Sequence, residues 1–194
     1  MEQEYLINLA KNTLSEKRFF HTLNVNKLAL ELAQKYGCNK ESVYTAAILH
    51  DITKEMADVQ ALALIDKEKI EVSNVIKNNP SLYHGLTAFL FCRDTLNITD
   101  TDVLNAIKFH TTGRTNMSLL EKIIYAADST SYERKYENCE HLREMAFEDI
   151  DGCMLEILKF TISKVTQENK PLDMQTVECY NDFVLLKFRE GLNK

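Results

Sequence analysis

The chain has 194 residues, of which 45% are hydrophobic and 27% charged, with only five glycines and two prolines. That length suits one domain that buries roughly 70% of its extended-chain surface, and so few turn residues predict long helices and an all-α fold. A net charge of -6 and a pI near 5.4 argue against nucleic acid or an anionic membrane surface as the main partner. A small anion still fits, because a metal ion or a local arginine cluster outweighs the global sign. The five cysteines (Cys38, Cys92, Cys139, Cys153, Cys179) are scattered, with no C-x-x-C pair, and read as reduced thiols. No basic-then-apolar leader opens the chain and no apolar run nears the roughly 20 residues of a bilayer span, so a cytoplasmic location is expected.

In chain order, residues 2–14 read as a short amphipathic lead helix. Ser15 is the expected N-cap of a long helix that runs through Lys35 and is stopped by Gly37, with His21, Val25, Leu28 and Leu32 on one face. Asn39 caps a third helix, on which Val43, Ala46, Ala47 and His50 recur at helical spacing, and Asp51 follows as that helix ends. Thr53 or Asp58 starts the next helix through Val59, Leu62 and Ile65. The charged cluster Asp66, Lys67, Glu68 and Lys69 reads as a solvated turn or helix end. Asn78-Asn79-Pro80 breaks the chain, and Ser81 is the expected cap of a helix to about Leu96 that places His84, Ala88 and Phe91 on one side.

Thr101 or Asp100 caps the following helix, where Val103, Ala106, Ile107 and His110 keep the i, i+3, i+4, i+7 pattern. The polar loop Thr111-Thr112-Gly113-Arg114-Thr115-Asn116 follows. Ser118-Leu119-Leu120-Glu121 is a capping box that opens a helix whose stripe of Leu120, Ile124 and Ala127 runs beside Asp128. Residues 131–143 read as charged and irregular. Two last helices, over about 145–165 and 175–192, are separated by Asn169-Lys170-Pro171, and their apolar faces serve either as core or as the surface of a homodimer.

A single inward histidine is more often a satisfied core residue than a ligand. Here four of the five histidines, with Asp51 and Asp128, fall on core-facing registers of five helices; His141, in the charged segment, is the exception and reads as a surface residue. A buried carboxylate beside a buried imidazole needs a basic side chain or a cation. Four histidines and two aspartates hold enough ligands for two ions if one carboxylate bridges, and imidazole with carboxylate suits iron, manganese or zinc. No cysteine lies near these positions, which argues against a structural zinc site.

The order His21, His50-Asp51, His84, His110, Asp128 resembles the H…HD…H…H…D signature of the HD-domain metal-dependent phosphohydrolases. The words around it are similar to the YqeK family of symmetrical diadenosine tetraphosphate (Ap4A) hydrolases: Lys17-Arg18-Phe19-Phe20-His21-Thr22-Leu23, Ala46-Ala47-Ile48-Leu49-His50-Asp51-Ile52-Thr53-Lys54, and Ile107-Lys108-Phe109-His110-Thr111-Thr112-Gly113-Arg114. Met117-Ser118-Leu119-Leu120-Glu121-Lys122-Ile123-Ile124-Tyr125-Ala126-Ala127-Asp128 continues the likeness, which runs from about Arg18 to Asn181. Two departures stand out. Ser129-Thr130-Ser131-Tyr132-Glu133-Arg134 lacks the family's acidic-proline step, and Thr87 stands where glycine is more usual.

The resemblance implies an HD-domain-like helical bundle formed by the whole chain, with the metal core over about 15–130 and the C-terminal helices over about 142–192. It implies two divalent ions, iron first and manganese or zinc as alternatives. Asp51 would bridge, His21, His50 and Asp128 would complete one ion's ligands, and His84 and His110 would hold the other. Two such cations about 3.5 to 4 Å apart make hydroxide available near neutral pH and clamp a phosphate oxygen, so that a dinucleoside polyphosphate is cut at an inner phosphorus. Lys54 is placed to touch a phosphate oxygen or the attacking water, and Arg18, one helical turn before His21, to grip phosphate in a fork. Thr111, Thr112, Gly113 and Arg114 have the composition of a phosphate-binding loop, and Arg134 is the retained arginine of the altered loop. An HD phosphohydrolase with another phosphorylated substrate, and a nucleotide sensor with a slow site, are the other readings.

Overall fold

Helices begin where a side chain can accept the free backbone N–H groups of the first turn. In the computed structural model, which describes residues 2–192 with side chains as far as Arg189, that rule places most of the elements. The described residues form eleven helices and no strand: α1 (Gln3–Thr13), α2 (Glu16–Tyr36), α3 (Lys40–Leu49), α4 (Asp58–Lys67), α5 (Asn74–Lys77), α6 (Pro80–Asp94), α7 (Thr101–Phe109), α8 (Leu119–Thr130), α9 (Cys139–Glu148), α10 (Ile150–Gln167) and α11 (Met174–Leu192). Ser15 accepts from the Arg18 N–H, Asn39 from Glu41 and Ser42, and Asp100 from Asp102 and Val103. Ser118 and Glu121 form a complete capping box. Gly37, at φ 71°, supplies the left-handed residue that ends α2.

Three boundaries differ from the sequence reading, each for a local reason. Asn79, not Ser81, caps α6, because Pro80 is preorganised for the first helical position and needs no hydrogen bond there. α4 starts at Asp58, the second of the two starts expected; Ala57 before it makes no side-chain cap, and the Asp58 carboxylate accepts from the Tyr83 hydroxyl. The segment read as irregular to Arg143 ends at Asn138, whose left-handed φ of 66° turns the chain into α9. Asp149, extended at φ -145°, then separates α9 from α10 and caps the latter through Gly152 N. The four-residue α5, capped by Ser73, is too short to show a period.

α2, α3, α7 and α8 pack on one another, and α10 closes the far side of α8. Leu28, Leu32, Ile48, Leu49, Ile107, Leu120 and Ile123 are fully buried between them, each such side chain contributing about 1.5–3 kcal/mol relative to exposure. A smaller cluster of Ala61, Ile65, Tyr83, Leu86 and Leu90 joins α4 to α6. The stripes expected to face inward do so: Val25, Leu28 and Leu32 with His21; Val103, Ala106 and Ile107 with His110; and Leu120, Ile124 and Ala127 beside Asp128. No helix among the described residues is long and apolar enough to cross a membrane.

One contact sets the geometry of the site. A Cβ on Gly85 would lie 2.7 Å from the Lys108 carbonyl oxygen and 3.3 Å from that of Ile107, so α6 meets α7 backbone to backbone. His84, next to this glycine, is thereby brought to His110 at the end of α7. Alanine inside a helix ordinarily stabilises relative to glycine, but Gly85→Ala has no flexible group to push aside and is expected to destabilise by about 1–3 kcal/mol. Urea unfolding checks this, and an unchanged or raised midpoint would show that the two helices separate freely.

Candidate metal centre

Five helices deliver the six polar residues expected at the core. His21 projects from the first turns of α2, His84 from α6 and Asp128 from the end of α8, whereas His50 and His110 occupy the C-terminal caps of α3 and α7. Asp51 follows His50 directly and is 2% exposed. The imidazoles form an edge-on chain, with centroids 5.6 Å apart for His21 and His50, 5.0 Å for His50 and His110, and 4.8 Å for His110 and His84. His141 is exposed and apart.

Asp51 divides this chain in two. Its Oδ2 lies 3.4 Å from His50 Nε2 and 3.8 Å from His21 Nε2, and its Oδ1 lies 3.0 Å from His84 Nε2 and 3.6 Å from His110 Nε2. Two groups with metal-ligand spacing result, His21–His50–Asp51 and Asp51–His84–His110, both buried. Asp128 joins the first, with Oδ1 2.9 Å from His21 Nε2.

The hydrogen bonds decide which ring nitrogens face inward. Carbonyl oxygens only accept, so Nδ1–H donates to Ala47 O from His50 and to Ile107 O from His110, each over 2.7 Å, and to Pro80 O from His84 over 3.1 Å. In His21, Nδ1 is held by the Glu133 carboxylate. Every neutral ring therefore presents Nε2 to the centre as a lone pair; at His21 burial lowers the pKa, but Asp128 and Glu133 outweigh it and raise it. His84 and His110 aim theirs at one another across 2.9 Å with Asp51 Oδ1 beside them, and the buried Nε2 atoms of His21 and His50 have no hydrogen-bond donor. Convergent acceptors without protons between them require cations, and imidazole and carboxylate are the ligands that divalent transition ions take.

Burial pushes the Asp51 carboxyl up, but positive charge and N–H donors at His50, His110 and His84 outweigh it and hold the group well below the usual carboxylate range; with the rings neutral, that positive charge has to come from a cation. Asp128 is likewise lowered against its burial, by His21 and His50 in their protonated forms and by Arg134. Burial drives the His84 imidazole down to about 4 against the pull of Asp51, which keeps it neutral and able to ligate.

Three basic side chains border the centre. Arg18 Nη1 donates to Asp51 Oδ2 over 2.9 Å and Arg134 Nη2 to Asp128 Oδ1 over 3.0 Å, both guanidinium groups remaining partly exposed. Lys54 Nζ lies 3.2 and 3.1 Å from the two ring nitrogens of His84. Near-equal distances to both place it over the ring face, and burial lowers its pKa while Asp51 and Asp128 pull the other way.

The loop after His110 uses its polar groups internally. Thr111 donates to Leu82 O over 3.3 Å and Thr112 to Gln175 Oε1 over 3.1 Å, and both line a pocket of about 330 Å³ with Lys108, Phe109 and Gln175. Gly113, at φ 67°, turns the chain so closely that a Cβ would sit 2.5 Å from Cys179 Sγ. Arg114 forms a two-pronged pair with buried Glu121, Nε to Oε1 over 2.6 Å and Nη2 to Oε2 over 2.8 Å. The sequence placed Arg114 beside phosphate; the structure ties it to the residue that also completes the α8 capping box, seven positions on. Glu133 escaped the sequence reading altogether, because an irregular charged segment offers no period that would point one acid inward.

The domain model described as HD domain matches residues 18–133, and the chain belongs to the HD-domain family. Its relatives are more particular. It is 35% identical over 185 residues to "Bis(5'-nucleosyl)-tetraphosphatase, symmetrical" of Halalkalibacterium halodurans, covering 95% of this chain and 98% of that one. A Bacillus subtilis protein of the same name is 31% identical, with 93% and 97% covered. Among solved structures, a predicted HD superfamily hydrolase involved in NAD metabolism from Clostridium acetobutylicum superposes with a TM-score of 0.91 at 35% identity, covering 95% of this chain and 97% of that one.

Arg114→Ala would leave the Glu121 carboxylate buried without its cation. A loss of about 1–3 kcal/mol is expected in urea unfolding, with part of it recovered when Arg114→Ala is combined with Glu121→Gln. Full stability of the single variant would show that the pair contributes nothing.

Proposed function

We propose that this chain is a symmetrical dinucleoside tetraphosphate hydrolase that converts Ap4A and water into two ADP at a centre of two divalent cations, with iron the first candidate and manganese or zinc the alternatives. The observation that carries the reading is the sharing of Asp51 between two buried triads, in a chain whose relatives along nearly its whole length bear that name. His21, His50, Asp51 and Asp128 would hold one ion and Asp51, His84 and His110 the other. When bound, divalent ions of this kind acidify water and neutralise charge on phosphate oxygens.

The remaining work falls to the protein. In symmetrical cleavage the water oxygen joins one inner phosphorus, the bond from that phosphorus to the bridging oxygen breaks, and the bridging oxygen leaves on the second ADP. The two protons of the water are released, so that the two ADP together carry more negative charge than Ap4A. Arg18, Lys54 and Arg134 lie where that charge develops, around Asp51 and Asp128, and give a chain of net charge -6 a local cationic rim. Arg18 and Arg134 present forked donors to phosphate oxygens. Lys54, partly buried, offers a single charge with less water around it, where it acts more strongly on the transition state. Asp51 is the group on which catalysis depends, because both triads lose their shared ligand with it. The 111–114 loop follows His110 directly and is braced by the bonds of Thr111 to Leu82 O and of Thr112 to Gln175.

Incubation with Ap4A and ferrous iron under anaerobic conditions, followed by chromatography, tests the reading. Two ADP per substrate, abolished by chelator, is the expected result. ATP plus AMP would overturn the position of attack, and turnover of other nucleotides but not Ap4A would overturn the substrate. Lys54→Ala is expected to lower kcat by about 10²-fold with metal content unchanged, whereas Arg18→Ala should raise KM more than it lowers kcat; the opposite partition would exchange their roles.

A further inference from the structure

Three of the four inward histidines are held through Nδ1 by backbone carbonyls, which are neutral and come with the helix itself. His21 differs. It lies early in α2, and its Nδ1 faces the Glu133 carboxylate, which arrives from residues 131–134, 112 positions later in the sequence. This is the segment in which the proline step of similar sequences is absent.

The segment is fastened by other means. Tyr132 packs between two cations, with the Lys27 ammonium 4.7 Å and the Arg143 guanidinium 5.1 Å from its ring centroid, and its hydroxyl donates to Glu31 on α2. Arg143 also donates to Thr130 O over 2.6 Å and to Ser131 O over 3.1 Å. A backbone bond from Arg134 N to Ser131 O closes the turn over 2.9 Å. Glu133 is thus flanked by two anchored residues, Tyr132 on α2 and Arg134 on Asp128. Ser131 Oγ donates to Glu133 Oε1 over 2.8 Å, the oxygen that faces His21. Glu133 Oε2 is buried with no hydrogen-bond partner, an arrangement that costs stability and that an ordinary surface turn would avoid.

We propose that Glu133 is a positioning residue of the metal centre: it takes the Nδ1 proton of His21 as acceptor, fixes Nε2 as the ligating nitrogen, and adds negative charge to that half of the centre only. The inference rests on the metal reading above. A carboxylate behind a ligating imidazole raises the basicity of the ligand and locks its ring, and loss of such a partner typically weakens metal binding about 10- to 100-fold. The His84–His110 half has no such acid behind its rings. Removal of Glu133 therefore separates the two ions, weakening one and sparing the other.

The test is Mn2+ titration of the metal-stripped full chain by calorimetry, with a nitrogen-15 histidine spectrum of the Zn2+-loaded protein, for wild type, Glu133→Ala and Glu133→Gln. In Glu133→Ala one of two binding steps is expected to weaken about 10- to 100-fold while the other holds, and the protected His21 Nδ1–H signal should vanish. Glu133→Gln, whose amide oxygen accepts the same bond, is expected to restore the signal and part of the affinity. Wild-type affinity for both ions and a retained Nδ1–H signal in Glu133→Ala would overturn the proposal, as would equal weakening of both ions in both variants, the mark of general loosening. A wild-type chain that takes up no Mn2+ or Zn2+ would instead overturn the metal reading, and the inference with it.

Discussion

The structure depends on a concentration of acceptors in a place without water. One carboxylate, Asp51, is buried among four imidazole nitrogens that present lone pairs when the rings are neutral. Left as they stand, such groups repel one another, and burial removes the solvent that would soften the repulsion. Arg18 offsets part of this at Oδ2. On the side of Oδ1 the ammonium of Lys54 lies over the His84 ring and not in its plane. The arrangement is stable as a whole only with positive charge at its centre, and that requirement links fold to function.

The scaffold enforces the arrangement through backbone groups more than through side chains. His50 and His110 both terminate helices, where carbonyls three residues back are free to receive Nδ1–H. The same helix end that leaves a carbonyl unsatisfied thus orients the ring. Gly85 allows α6 to meet α7 at backbone distance, and the register of that contact places His84 against His110. His21 is the one ring whose orientation depends on a distant acid, which makes the short segment after α8 part of the centre although it supplies no ligand itself.

Much of this was legible because it is periodic. His21, His84 and His110 each continue an apolar stripe at helical spacing, so that their inward direction follows from the sequence, and Asn39, Asp100 and the Ser118–Glu121 box announce their helices. What periodicity could not carry was pairing across the fold. Glu121 is recognisable as a capping residue, but nothing in its spacing reveals that it also takes the Arg114 guanidinium. Glu133 lies in a charged, aperiodic segment beside acids that face solvent. Asn79 and Ser81 are equally good caps by type, and Pro80 decided between them by taking the first helical position.

The central claim is that Asp51 is shared, one oxygen to each triad, between two ions. Metal counting by mass spectrometry after anaerobic reconstitution with ferrous iron addresses it most directly. The account predicts two ions per wild-type chain, one in His110→Ala, and none retained in Asp51→Ala while circular dichroism still reports the helices. Two ions held by a folded Asp51→Ala chain would contradict it, because no shared carboxylate would then be needed.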